Sequence, residues 1–234
     1  MTASQESPLW TYEDLGLLLG AALPCLVISA LSAKLLGLLV PQKGVVAALS
    51  QVILYAALLG CLRLILSWRR GLPFWDALHW RAPWPGMLLT GLLGPMLALT
   101  VGLLALLLGA RKEAVAMDAL LGDRWSVLAI GMAASTAGPV FEELVFRGFA
   151  QPLLVRSLGL AGGLLATALP FSLLHGPQYN WNWQRLLLLT LASAVFGLVR
   201  QQTGSTAASS LTHAAYNLTF LAGMIFQGDL IKKP

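Results

Sequence analysis

Charge is scarce in this chain of 234 residues: only 11% of them are Asp, Glu, Lys or Arg, whereas 57% are hydrophobic. An average soluble domain carries about 25% charged residues, so this composition excludes an ordinary soluble globular domain. The formal net charge is +5, but the basic residues stand singly or in pairs beside apolar runs. That pattern predicts contact with membrane lipid headgroups and argues against nucleic acid as a partner.

Cysteine and several familiar protease motifs are also scarce or absent. Cys25 and Cys61 lie in apolar stretches without CxxC spacing, so we expect packing residues, with neither a disulfide framework nor a cysteine metal site. The sequence contains no HExxH, the pattern of one large class of zinc proteases, and no GxSxG, the turn of many serine hydrolases. Any hydrolytic site here must therefore be built from other residues.

Long apolar runs dominate what is present. A helix that crosses a bilayer needs about 20 apolar residues. Seven windows near that length lie at 15–40, 45–68, 86–110, 125–149, 158–174, 186–199 and 205–226. The residues before the first window are acidic, which favours a membrane helix over a cleaved signal peptide. We predict an all-α fold, a polytopic transmembrane helical bundle of about 7–8 spans.

Organisation along the chain favours one membrane-embedded domain, 1–234, because no repeat or low-complexity linker is visible. It divides into N-terminal helices at 15–110 and a motif-bearing core at about 125–226. Gly138 and Pro139 interrupt the fourth window, which predicts a broken or re-entrant element near 138–157. The Trp- and Arg-rich segment 68–85 predicts an interfacial loop with a short helix, and 111–124 predicts an amphipathic connector.

Ionisable and amide side chains recur inside the apolar core region. They are Glu142, Glu143, Arg147, His175, His213 and Asn217. A charge near the bilayer centre costs about 2.5–3.5 kcal/mol on insertion scales, so such residues usually serve a function. Glu143 and Arg147 are four residues apart and should form an internal ion pair. Glu142 points about 100° away around the helix and is the freer carboxylate, suited to act as a general base.

Two further pairs share the four-residue spacing: Phe171 with His175, and His213 with Asn217. Residues four apart lie on one face of a helix. Histidine and asparagine together offer hydrogen-bond donors for a developing oxyanion, and a histidine beside a glutamate can position water. The pattern predicts a hydrolytic site that has no serine or cysteine nucleophile.

Three motif blocks carry a resemblance to a known family. They are Glu142-Glu143-x-x-x-Arg147, Phe171-x-x-x-His175 and His213-x-x-x-Asn217, within about 130–220. In this order and inside apolar windows, they resemble the CPBP family (CAAX proteases and bacteriocin-processing enzymes, also called Abi). These are intramembrane endopeptidases that include the type II CAAX prenyl proteases. The resemblance covers nothing in the N-terminal 110 residues beyond their apolar character.

The resemblance implies a helical intramembrane protease whose substrate is a lipidated or other membrane-associated peptide. Glu142, helped by His175, would activate water, and His213 and Asn217 would stabilise the oxyanion. Glu143, Arg147 and Phe171 would support the site. The composition, rich in alanine and leucine, favours a bacterial plasma membrane as the location.

Two questions stay open at the level of sequence. The family has been described both as metalloproteases and as glutamate-dependent proteases, and Glu142, His175 and His213 could ligate zinc with a water in the fourth position. The lack of HExxH favours the metal-free mechanism, without a cofactor. The other function classes are an ion- or proton-coupled transporter, since buried Glu, Arg and His also build proton relays, and a non-catalytic scaffold or immunity-type protein.

Overall fold

The computed structural model of the chain describes residues 9–83, 86–110 and 116–226, and these form helices, turns and loops without a strand. The α-helices are α1 (Tyr12–Leu36), α2 (Lys43–Arg63), α3 (Phe74–Ala77), α4 (Met87–Leu107), α5 (Arg124–Ser135), α6 (Ala137–Glu143), α7 (Gln151–Leu174), α8 (Trp183–Thr203) and α9 (Thr206–Phe226). Two π-helical turns, Leu64–Arg69 and Leu144–Ala150, continue α2 and α6. The predicted all-α polytopic bundle is confirmed.

Each of the seven apolar windows corresponds to a helix or a helical run. Among the described residues, five helices are long and apolar enough to cross a membrane, when the run 124–174 is counted as one helix. That run has 51 residues, and a straight helix of this length would measure about 77 Å. Since the hydrocarbon core is about 30 Å thick, the run must bend within the bundle or cross more than once.

The bends in this run lie at two identifiable residues. Thr136 has φ −130° and ψ −82°, which ends α5 and starts α6. Pro139 then falls in the first turn of α6, where a backbone N–H has no intrahelical acceptor and its loss costs little. Gly159 has φ 71° inside α7, a conformation that glycine adopts without steric cost. The broken element predicted near 138–157 is present, with its breaks just outside that range.

The N-terminal hairpin of α1 and α2 is joined at several points along its length. Asp14 is fully buried, and its carboxylate accepts hydrogen bonds from Arg69 and Arg70 at the end of the π-helical turn that follows α2. Further along the hairpin, Cys25 and Cys61 face each other as free thiols with their Sγ atoms 3.9 Å apart. Their spacing in the sequence gave no sign of this proximity.

The Trp- and Arg-rich segment forms the predicted loop with a short helix, α3, and Trp68 is 85% exposed. The segment also contacts α9, which its composition did not indicate. Leu78 is fully buried, and its carbonyl oxygen accepts a 2.6 Å hydrogen bond from the Thr206 hydroxyl at the start of α9. The loop therefore holds the N-terminal end of the helix that carries His213 and Asn217. Residues 84–85 of the segment and 111–115 of the predicted connector lie outside the described residues.

Helices α4 and α9 approach most closely at Gly94. A Cβ atom built on Gly94 would lie 2.5 Å from the Thr212 carbonyl oxygen and 2.6 Å from the Ala215 Cβ. Real Cβ atoms do not approach backbone so closely, so only glycine permits this helix contact. Gly102, two turns later on the same helix, has nothing within 4 Å of such an atom.

We therefore expect Gly94→Ala to destabilise the protein by about 1–3 kcal/mol, because the added methyl group must push α4 away from α9. Gly102→Ala is the matched control, and it should leave stability unchanged or raise it by about 0.5–1 kcal/mol. Unfolding of the two variants in detergent measures the difference. Equal stabilities would contradict the close α4–α9 contact.

Candidate active site

The centre of the predicted site is the carboxylate of Glu143, which is fully buried. Its Oε1 accepts hydrogen bonds from Arg147 Nη1 at 3.0 Å and from His213 Nδ1 at 2.9 Å. Its Oε2 accepts a 2.6 Å hydrogen bond from the hydroxyl of Ser209. The predicted ion pair of Glu143 and Arg147 is present, and the same carboxylate joins α6 to α9.

Arg147 is also fully buried. It lies in the π-helical turn Leu144–Ala150 and donates from Nη2 to the Ser193 carbonyl oxygen at 2.7 Å and to the Ser193 hydroxyl at 2.6 Å. Its guanidinium carbon lies 4.7 Å from the ring centre of Phe171 and 5.6 Å from that of Phe196. Hydrogen bonds and cation–π contacts replace much of the hydration that this cation loses on burial, and only its Nε lacks a hydrogen-bond partner among the described residues.

His213 stands between the two glutamates. Its Nδ1 contacts Glu143, and its Nε2 lies 3.8 Å from Oε2 of Glu142. The ring stacks on Phe196 with centroids 4.4 Å apart and an interplanar angle of 17°. A carboxylate at one ring nitrogen and a stacked aromatic ring fix the orientation of an imidazole. Two atoms 3.8 Å apart can both hydrogen-bond one water molecule at ordinary lengths.

Glu142 is the more accessible of the two glutamates, with its side chain 15% exposed against 0% for Glu143. Its Oε1 accepts a 2.8 Å hydrogen bond from the hydroxyl of Tyr55, on α2. Sequence reasoning missed Tyr55, since nothing functional was expected in the N-terminal helices. The available signal was weak: a tyrosine in the middle of an apolar window, whose hydroxyl usually finds a partner when buried.

The two remaining predicted residues lie beside this cluster and do not contact the Glu142 carboxylate. His175 Nδ1 hydrogen-bonds the Phe171 carbonyl oxygen at 2.8 Å, and no hydrogen bond or ion pair joins His175 to Glu142 among the described residues. The Phe171 ring contacts both imidazoles, at 4.9 Å from His175 and 5.8 Å from His213. Asn217 donates from Nδ2 to the carbonyl oxygen of Ala134 at 2.7 Å, near the broken end of α5.

An open apolar groove of about 570 Å³ lies on the Tyr55 side of the cluster. Its walls come from α2, α6, α9 and the Trp-rich loop, including Tyr55, Phe141, Ser210 and Trp80. Gly138 follows the wall residue Ala137, and a Cβ built on Gly138 would be 3.9 Å from the Tyr55 hydroxyl and 4.0 Å from Glu142 Oε1. Tyr55 therefore lines the groove and also contacts Glu142.

The loop that follows α7 also comes close to Glu142. Burial raises the pKa of Tyr179, Arg185 partly opposes this shift, and the negative charge of Glu142 adds to it. The next two residues, Asn180 and Trp181, both have positive φ values, which is uncommon for residues other than glycine. The Trp181 ring covers Gly176, where a Cβ would lie 2.4 Å from a ring atom. This compact loop therefore lies on the His175 side of the site.

A zinc ion does not fit the predicted ligands in this arrangement. Both imidazoles have one nitrogen on an oxygen acceptor, which is usual for metal-ligating histidines, but His175 lacks contact with Glu142. Within the residues that the structure describes, no three His, Cys, Asp or Glu side chains are grouped so that they could hold a metal ion. The metal-free mechanism itself stays a prediction.

These features define a helical membrane protein with a buried carboxylate–histidine cluster beside an open groove. Residues 124–219 match the family model of the type II CAAX prenyl endopeptidases, Rce1-like. The match contains all three motif blocks and confirms the resemblance to the CPBP family, whose members are intramembrane endopeptidases. With its apolar helices, the chain is an integral membrane protein. No curated protein and no solved structure is significantly similar to the chain.

The ion pair leads to a prediction about stability. Arg147→Met leaves the Glu143 carboxylate buried without its arginine, so we expect a loss of about 3–5 kcal/mol in the free energy of unfolding. The double variant Glu143→Gln with Arg147→Met should recover part of this loss. Arg156→Met, at an exposed position on α7, is the control and should change stability by less than about 0.5 kcal/mol. SDS-induced unfolding in micelles would measure all three, and an Arg147→Met protein as stable as the control would contradict the stabilising role of this ion pair.

Proposed function

We propose that the chain is an intramembrane endopeptidase that hydrolyses a CAAX-type or other lipidated, membrane-associated peptide through a water molecule activated by Glu142. The observation that carries this proposal is the distance of 3.8 Å between Glu142 Oε2 and His213 Nε2. Glu143 holds the other nitrogen of the same ring. The family match over residues 124–219 supports the reaction class, and the apolar groove supports a lipid-like or apolar substrate.

In the proposed mechanism, His213 carries a proton on both ring nitrogens. Glu142 and Glu143 carry two negative charges in a region where isolated charges are costly. Arg147 supplies one positive charge, and a protonated His213 supplies the second. In that state both ring nitrogens of His213 carry protons, so Nδ1 donates to Glu143 and Nε2 is free to donate to an oxyanion.

The proposed reaction proceeds by proton transfer through Glu142. The water oxygen bonds to the peptide carbonyl carbon while its proton passes to Glu142, and the carbonyl oxygen becomes an oxyanion. The site remains neutral overall, because the oxyanion replaces the glutamate charge beside protonated His213. The carbon–nitrogen bond then breaks, its electron pair stays on nitrogen, and Glu142 returns the proton to that amine. The products are a carboxylic acid and an amine.

His175 and Asn217 complete the proposal in supporting positions. With its Nδ1 hydrogen on the Phe171 carbonyl, His175 presents Nε2 as an acceptor for the second hydrogen of the water. Asn217 uses one amide hydrogen on Ala134, and its other amide hydrogen is assigned to the oxyanion beside that of His213.

The central test is Glu142→Gln, which keeps the side-chain shape and removes the base. We expect hydrolysis of a prenylated CAAX peptide in proteoliposomes to fall at least about 100-fold while the protein still folds. Glu13→Gln, at an exposed position on α1, is the matched control and should retain wild-type turnover. Undiminished cleavage by Glu142→Gln would defeat the proposal. Proton flux without cleavage would favour a transporter, and neither activity would favour a scaffold.

Metal dependence has a separate test. Because the predicted ligands do not group around a metal position, we expect activity to survive dialysis against a strong chelator and to gain nothing from added zinc. Peptide hydrolysis before dialysis, after dialysis and after zinc addition measures this. Loss of activity that zinc restores would show that the metal-free mechanism is wrong.

A further inference from the structure

The two oxygens of the Glu142 carboxylate have different surroundings. Oε1 accepts the 2.8 Å hydrogen bond from Tyr55, whereas Oε2 faces His213 at 3.8 Å. Rotation of the carboxylate about its terminal bond would break the Tyr55 contact. A donor on one oxygen therefore fixes the orientation of the carboxylate plane and, with it, the position of the other oxygen beside the histidine.

Tyr55 is itself held in place by the residue next to Glu142. Its ring stacks on Phe141 with centroids 4.1 Å apart and an interplanar angle of 18°. Ring and hydroxyl thus contact two consecutive residues of α6, which fixes the rotation of α2 against that helix. A phenol hydroxyl in an apolar setting is costly without a partner, so the hydrogen bond to Glu142 is strongly favoured.

From these contacts we infer that Tyr55 is a positioning residue of the site: its hydroxyl holds the Glu142 carboxylate so that Oε2 faces His213 and the attacking water. The inference rests on the proposed peptidase function. It also extends the site beyond the matched residues 124–219, because Tyr55 belongs to α2. The N-terminal half of the chain then contributes to catalysis as well as to the groove wall.

Tyr55→Phe tests this inference, because it keeps the ring on Phe141 and removes only the hydroxyl. The freed carboxylate should spend less time in the productive orientation, so we expect kcat to fall about 10- to 100-fold, the scale of one hydrogen bond to a charged group. KM should stay within about twofold, since the groove wall is unchanged. Tyr12→Phe, at an exposed position on α1, is the control and should match wild type. Wild-type kcat in Tyr55→Phe would overturn the inference.

Two further variants separate positioning from general damage to the fold. Incorporation of 3-fluorotyrosine at position 55 keeps a hydroxyl donor and should retain most of the wild-type kcat. In a Glu142→Asp background the shorter carboxylate no longer reaches Tyr55, so Tyr55→Phe should cause little further loss. Equal fold losses in both backgrounds would show that Tyr55 acts independently of Glu142 and would overturn the inference.

Failure of the proposed peptidase function can be distinguished from failure of the Tyr55 inference. If Glu142→Gln cleaves as well as wild type, the glutamate mechanism fails whatever Tyr55→Phe does. If the wild type cleaves no peptide, the Tyr55 contact is still measurable by infrared spectroscopy. The Glu142 carboxylate band, identified by its loss in Glu142→Gln, should shift in Tyr55→Phe and stay in Tyr12→Phe. An unshifted band would overturn the inference without reference to activity.

Discussion

The whole site depends on one buried carboxylate, that of Glu143. Removing such a group from water is costly, and the cost is offset only if its oxygens find good donors. Arg147, His213 and Ser209 supply these donors from two helices, α9 and the run that continues α6. The same contacts therefore join the helices and fix the imidazole that faces Glu142.

The two adjacent glutamates have separate tasks because the helix turns them in different directions. Glu143 is fully buried and accepts three hydrogen bonds, whereas Glu142 is partly exposed and has one oxygen on the Tyr55 hydroxyl and the other facing His213. Breaks in the helical run 124–174 contribute to this arrangement. Thr136 ends α5 so that α6 can start in a new direction, and Arg147 lies in the π-helical turn that follows Glu143. π-helical turns occur frequently at functional sites.

Much of this fold could be predicted from the sequence, because lipid imposes a simple rule: apolar runs of sufficient length become helices. The Glu143–Arg147 pair was equally predictable, since both residues lie on one helix face. Contacts between distant segments were not. Tyr55 meets Glu142 across 87 positions of sequence, and neither residue's neighbours indicate which helices will be adjacent. Spacing placed Phe171 and His175 on one helix face, but for the same reason it could not show that His175 would form no hydrogen bond with Glu142 within the described residues, or that Asn217 would bond Ala134.

Tyr55 lines the groove and also donates a hydrogen bond to the Glu142 carboxylate. The two contacts together have a mechanical consequence. The groove lies between α2 on one side and α6 and α9 on the other. Any molecule in the groove that separates α2 from α6 must lengthen the hydrogen bond between Tyr55 and Glu142. The width of any occupant and the orientation of the Glu142 carboxylate are therefore mechanically linked, because a thin occupant leaves this hydrogen bond in place and an oversized one breaks it.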